Sequence, residues 1–301
     1  MEDKGGENML NKVEKEQNTI SYDENSNMIS DESRGQLISK IINLKGKIGS
    51  FFWGVPLVVL FFLIWEIAPR IGILSPIFFP PFSKVVHALL DLILTGELQT
   101  NIIVSLSRAF IGFLFAVIIA VPLGFIMGRY SLFEKVMDLL IQGLRNTSQF
   151  ALLPVFIMLL GIGEASKIAM TFNAAVWVIL INTISGVKGI DPLLIKSAIS
   201  MGTSDKELLK KIIFPASFPS IVTGVRLGIK SSLMSVIAAE MLGAKSGIGF
   251  LIQNSQLTYR IPQMYAGILV LTMLGVILNY SLVWIEKKAT SWKTQDGNVT
   301  F

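Results

Sequence analysis

Side chains that could move protons, ligate metals or attack a substrate are few in this sequence and widely spaced. Cysteine is absent, which removes disulfides, thiolate metal sites and a thiol nucleophile. The one histidine, His87, sits in Val85-Val86-His87-Ala88 without a second ligand or triad partner nearby, and reads as structural or interfacial. Three carboxylates fall in apolar stretches, Glu66, Asp138 and Glu240. None has the Ser/Lys, paired-Asp or His/Glu spacing that chemistry inside a membrane would need. No G-x-x-x-x-G-K-[ST] phosphate loop occurs, and Gly161-Ile162-Gly163 lacks the third glycine of a dinucleotide fingerprint. The polar groups that remain are those placed where water should be scarce: Arg145, Asn146 and Gln149 in one segment, Arg226, Lys230 and Glu240 in another.

The elements holding them are set by composition. The chain has 301 residues, of which 52% are hydrophobic and 16% charged, too apolar for a soluble domain. Three twenty-residue stretches, 109–128, 168–187 and 266–285, contain no Asp, Glu, Lys or Arg, and each is long enough at ~1.5 Å per residue to cross a ~30 Å hydrocarbon layer. Six spans are expected, at about 51–68, 103–128, 135–161, 166–187, 216–242 and 264–286. Residues 1–39 carry nine acidic and four basic residues without a sustained apolar period, and read as a disordered acidic tail. The expected division is a tail over 1–39, a first span with an external segment over 40–100, a membrane core over 101–290 and a second tail over 291–301. With the N-terminus inside, thirteen Lys and Arg flank the cytoplasmic ends and five the outer ends, so both termini are placed in the cytoplasm. The +5 net charge is accounted for by these loops and needs no nucleic-acid partner.

Within the third span, Gln142-Gly143-Leu144-Arg145-Asn146-Thr147-Ser148-Gln149 is polar and Pro154 follows, so the helix should be interrupted. Irregular polar backbone at membrane depth is tolerated against protein or a water-filled cavity, which makes Arg145, Asn146 and Gln149 candidates to line a pathway. The alternative is two shorter helices joined at the interface. In the fifth span Arg226, Lys230 and Glu240 must face protein, water or an interface. Arg226 and Lys230 lie one turn apart on one face, which either meets an anionic substrate or packs against carbonyls near the cytoplasmic end. Gly124/Gly128 and Gly224/Gly228 allow close helix approach in the second and fifth spans.

The longest internal loop, 188–215, carries the clearest local code. Asp191-Pro192 starts a helix and Gly202 stops it. Ser204-Asp205-Lys206-Glu207 is a capping box for a second short helix, which Pro215 should keep from running unbroken into the fifth span. Leu193, Leu194, Ile195, Leu208, Leu209, Ile212 and Ile213 would supply an apolar docking surface for another protein or, alternatively, for the membrane surface.

These residues resemble a known family. The permease subunits of ATP-binding-cassette importers carry E-A-A, three residues, Gly, nine residues, then I-x-L-P. Here Lys196-Ser197-Ala198 is followed at the same spacings by Gly202 and by Ile212-Ile213-Phe214-Pro215. The chain is most similar to permeases of sulfonate, nitrate and taurine importers, over about 79–292. Supporting stretches are 80–85, 107–113, Leu144-Arg145-Asn146, 151–154, 219–226, and Ala239-Glu240-Met241-Leu242 leading to Ser246-Gly247-Ile248-Gly249. Lys196 replaces the family's glutamate, Ser148 stands where a proline is common, and Phe214 replaces leucine.

The resemblance implies an all-α membrane protein of the type I importer permease fold with cytoplasmic coupling helices. It implies coupling to an ATPase through Lys196, Ser197, Ala198, Gly202, Ser204, Glu207, Ile212, Phe214 and Pro215, and a pathway lined by Arg145, Asn146, Gln149, Arg226 and Glu240. The partners implied are a second permease copy, two ATP-binding subunits that use ATP and Mg, and an extracellular solute-binding protein, in the inner or plasma membrane of a bacterium. No cofactor is implied for this chain, and the solute would be a small anion. The competing readings are an intramembrane enzyme, for which the carboxylate pairing is missing, and a secondary carrier, for which no internal repeat is visible.

Overall fold

A computed structural model describes residues 56–289. The expected tails, 1–39 and 291–301, and the start of the first span lie outside these residues. All regular structure among the described residues is helical. The chain divides into two units, one ending at Ile71 and one beginning at Gly72.

The first unit contributes helix α1, 56–70. Its apolar side chains, Leu57, Leu60, Phe61 and Ile64 among them, are exposed, and Glu66 pairs with Arg70 one turn on.

The second unit holds α2 (Phe82–Leu94), α3 (Glu97–Arg129), α4 (Ser131–Asn146), α5 (Gln149–Leu160), α6 (Glu164–Lys188), α7 (Pro192–Ser200), α8 (Asp205–Leu208), α9 (Phe214–Gly243), α10 (Ile248–Leu257) and α11 (Ile261–Ala289). Four of its helical stretches are long and apolar enough to span a membrane, and the α4/α5 pair, bent by 96°, makes a fifth if taken as one span. This is a multi-pass membrane protein. Among the described residues, the spans expected from hydropathy at 103–128, 166–187, 216–242 and 264–286 fall within α3, α6, α9 and α11. In the segment assigned to 40–100, α2 packs against α11 and α3.

The core is a three-helix stack with α6 between α3 and α9. Small residues set its spacing. A Cβ on Gly124 would meet Thr183 Cβ at 2.6 Å, and one on Gly128 would meet Val187 Cβ at 2.6 Å. On the other side of α6, Gly224 would meet Asn182 Cβ at 2.7 Å and Gly228 would meet Ile179 Cγ1 at 2.7 Å. Both glycine pairs read from sequence thus serve one partner, α6, whose backbone is approached from two sides. Ala116, Ala120, Ala175, Ile179 and Leu180 fill the seam with α3.

The third span breaks where its polar run predicts. Thr147 and Ser148 adopt extended backbone, with ψ of 131° and 125°, between the end of α4 and the start of α5. The turn is sharp with serine at 148, because two consecutive extended residues suffice to redirect the chain. Beyond it, Leu153 packs with Met170 of α6 and Ala239 of α9.

Candidate functional site

Two regions concentrate the chemistry, one at each end of α9. The first is the α7/α8 pair. Asp191 Oδ1 accepts from Leu193 N at 2.8 Å with Pro192 at the first helical position, the expected start. The stop is a Schellman motif: Gly202, at φ +78°, donates to Ile199 O at 2.9 Å while Thr203 N donates to Ala198 O at 3.2 Å. Ser204 Oγ then accepts from Glu207 N at 3.4 Å, and lies 3.2 Å from Glu207 Oε2. Lys211 Nζ donates to Glu207 Oε1 at 2.8 Å.

Pro215 does not interrupt the chain here, contrary to the sequence reading. Between α8 and α9, Leu209–Ile213 forms a π-helical turn in which Phe214 N bonds to Leu209 O. A proline removes one amide donor and crowds the carbonyl one turn back, and the wider π turn takes up both defects without ending the helix. Residues 205–243 are therefore one continuous helical element.

The apolar residues of this segment also divide differently from expectation. Leu208 and Ile213, each 1% exposed, are buried with Val187, Ile190 and Ala198 in the protein's own core. Exposed are Leu193, Leu194, Ile199, Met201 and Phe214, together with Lys196, Ser197, Gly202, Ser204, Glu207 and Pro215, while Ile212 is half-buried. Arg129 Nη2, 3.6 Å from Asp205 Oδ1, ties α8 to the end of α3, and Phe214 stacks on Phe125 with ring centroids 5.7 Å apart.

The second region is a buried charge cluster at the other end of α9. Arg108 of α3, 3% exposed, grips Glu164 of α6 with two bonds, Nε to Oε2 at 2.5 Å and Nη2 to Oε1 at 2.6 Å. Its Nη1 donates to Glu240 Oε1 at 2.8 Å and to Ser246 O at 2.7 Å. Glu240, 1% exposed, also accepts from Ser105 Oγ, at 2.7 Å to Oε2, and from Gly249 N at 3.0 Å. Lys167 Nζ, buried close by, donates to Gly163 O at 2.9 Å.

This cluster caps a helix from outside. The first amides of α10 have their acceptors on other helices: Gly247 N on Asn101 Oδ1 at 2.6 Å, Ile248 N on Ser105 Oγ at 2.8 Å, and Gly249 N on Glu240. A carboxylate against the positive end of a helix is favourable, and a side chain would abolish the fit. A Cβ on Gly247, which has φ +115°, would lie 2.2 Å from Glu240 Cδ, and one on Gly249 would lie 2.3 Å from Ile237 O. The stretch Ser246-Gly247-Ile248-Gly249 is the footprint of Glu240.

The five pathway candidates do not converge. Arg145 and Asn146 are exposed and Gln149 half-buried at the α4–α5 break. Arg226 pairs with Glu286 of α11, Nη1 to Oε2 at 2.7 Å, which neither of the two readings of its face anticipated. Glu240, expected beside a pathway, is instead enclosed by protein, because Arg108 across the packed helices neutralises it there. No motif or spacing in the sequence marks a role for Arg108, Glu164, Asn101 or Ser105. The available signal was Arg108 itself, a cation directly before the charge-free run 109–128.

Comparison with known proteins accords with this architecture. Residues 112–291 match the family described as binding-protein-dependent transport system inner membrane component. A putative ABC transporter permease protein of Methanocaldococcus jannaschii is 37% identical over 236 residues, covering 77% of this chain and 88% of that protein. A putative aliphatic sulfonates transport permease protein of Escherichia coli is 32% identical over 240 residues, covering 80% of this chain and 90% of that protein. Among solved structures, the MetNI methionine ABC transporter in inward-facing form superposes with a TM-score of 0.59 at 16% identity, over 65% of this chain and 98% of that one. The fold and site define a membrane permease of the ABC importer class. The chain belongs to the binding-protein-dependent transport system inner membrane component family.

Proposed function

We propose that the chain forms, as a homodimer, the translocation pathway of an importer powered by two ATP-binding subunits and supplied by an extracellular binding protein. Both termini and the α7/α8 pair lie in the cytoplasm, with ATP and Mg handled by the partner subunits and no catalytic site in this chain. The observation that carries this reading is the continuity of 205–243. A helix that runs from an exposed docking element to a clamp at its far end transmits a displacement along its length. Exposed Leu193, Leu194 and Ile199 on α7 and Met201 just past its end offer the apolar contact, with Lys196 among them. Closure of the ATPase pair would draw the two α7/α8 elements together and open the pathway outward, and hydrolysis would reset it.

The solute is a small anion, sulfonate-, taurine- or nitrate-like. The relative named for aliphatic sulfonates supports this, as does Arg145, exposed at the α4–α5 break without an ion-pair partner among the described residues. Arg145, Asn146 and Gln149 line the pathway, while Arg226 and Glu240 hold the helices around it. The test is Gly202→Pro, or deletion of 196–211. Either should abolish ATP-driven uptake while the protein still inserts in the membrane, and normal uptake by either would defeat the coupling assignment.

A further inference from the structure

A groove of about 710 Å³ runs between α9 and α11, apart from the charge cluster and the α4–α5 break. Its walls are apolar along most of their length, with Leu233, Met234, Leu271 and Val276, and carry Arg226 and Lys230 towards the α11 C-terminus. The guanidinium is only partly used: Nη1 meets Glu286, whereas Nε is buried without a hydrogen-bond partner. Lys230 is exposed and has no ion-pair partner among the described residues. Glu286 is followed by Lys287 and Lys288, and Lys288 Nζ lies 5.4 Å from the Trp284 ring centroid. Tryptophan and lysine together at a helix end mark the level of the headgroups. The surface around the groove is exposed and apolar, including Ile277, Tyr280, Trp284 and Ile285.

From this arrangement we infer that the groove is a binding site for an anionic phospholipid of the leaflet that faces Lys287 and Lys288. The phosphate sits against Arg226 and Lys230, and an acyl chain lies along Leu233, Met234, Leu271 and Val276. Three features favour a lipid over a dissolved anion: a cationic end at headgroup level, an apolar trough leading from it towards the membrane interior, and lateral openness among exposed apolar side chains. Basic pockets between membrane helices suit such headgroups. The inference rests on the membrane reading alone and stands whatever solute the importer carries.

The test is mass spectrometry of phospholipids retained by the full chain purified in mild detergent. Wild type should retain phosphatidylglycerol or cardiolipin well above their share of the membrane. Lys230→Gln should lower that retention roughly fivefold, the weight of one cation near an anionic surface. Arg226→Gln/Lys230→Gln should abolish the enrichment, and Lys230→Arg should keep it. Lys245→Gln, at the other end of α9, should leave retention unchanged. Equal retention by wild type and Lys230→Gln would overturn the inference. So would disulfide formation between copies of a Val276→Cys variant in membranes, which would place a second copy over the groove; the absence of native cysteine makes that readout clean.

Discussion

Removing Arg108 should cost more than removing either of its carboxylate partners. Arg108→Ala leaves Glu240, 1% exposed, with only Ser105 and Gly249 N as donors, and a buried charge stripped of its partner costs about 3–5 kcal/mol. Glu240→Gln keeps the shape of the side chain, and Arg108 still holds Glu164, so the loss falls to about 1–3 kcal/mol. Glu164 presents 62% of its side chain to solvent, and Glu164→Gln should cost about 1 kcal/mol or less. Thermal unfolding of the purified chain in detergent reads this order directly. At roughly 2–4 °C per kcal/mol for a domain of this size, Arg108→Ala should melt on the order of 10 °C below wild type. Arg108→Ala/Glu240→Gln should recover part of that loss, because no buried carboxylate is then left unpaired and Glu164, 62% exposed, is left to solvent. Equal melting temperatures for Arg108→Ala and Glu164→Gln, or a double variant no better than Arg108→Ala, would refute the reasoning.

Other substitutions separate packing from transport. Gly247→Ala drives a methyl into the Glu240 carboxylate at a φ of +115° and should lower the melting temperature about as far as Glu240→Ala does, whereas Gly143→Ala, with open space at its Cβ, should leave it unchanged. Gly124→Ile forces α3 off Thr183 of α6 and should reduce the amount of folded protein seen by size-exclusion chromatography. Arg145→Ala, at an exposed site, should leave melting unchanged while lowering uptake of an organic anion in proteoliposomes; unaltered uptake would take Arg145 out of the pathway.

Much of the fold was legible because membrane helices report themselves through length and hydropathy, as the charge-free runs inside α3, α6 and α11 do. The α7 boundaries were legible because Asp191, Pro192 and Gly202 act through local backbone chemistry within a few residues of themselves. The helix break at Thr147 and Ser148 followed from the polar run 142–149 with Pro154 just beyond it. What escaped was non-local. Arg108 and Glu240 are 132 residues apart in the chain, and Arg226 meets Glu286 across two helices, so no spacing rule joins either pair. The π turn before Pro215 escaped for a different reason: a proline ends most helices, and only packing of Leu208 and Ile213 into the core makes it preferable to widen one turn and continue. That same packing removed two residues from the expected docking surface, since hydropathy does not say which neighbour an apolar side chain chooses.

The most direct test of the permease reading is to purify the tagged chain in mild detergent from its own cell and identify by mass spectrometry what accompanies it. An ATP-binding subunit and a solute-binding protein should be present in the preparation, with ATP hydrolysis that rises when the loaded binding protein is added. Recovery of the chain alone, with no hydrolysis when candidate ATPases are returned and with ion-driven uptake after reconstitution, would contradict that reading.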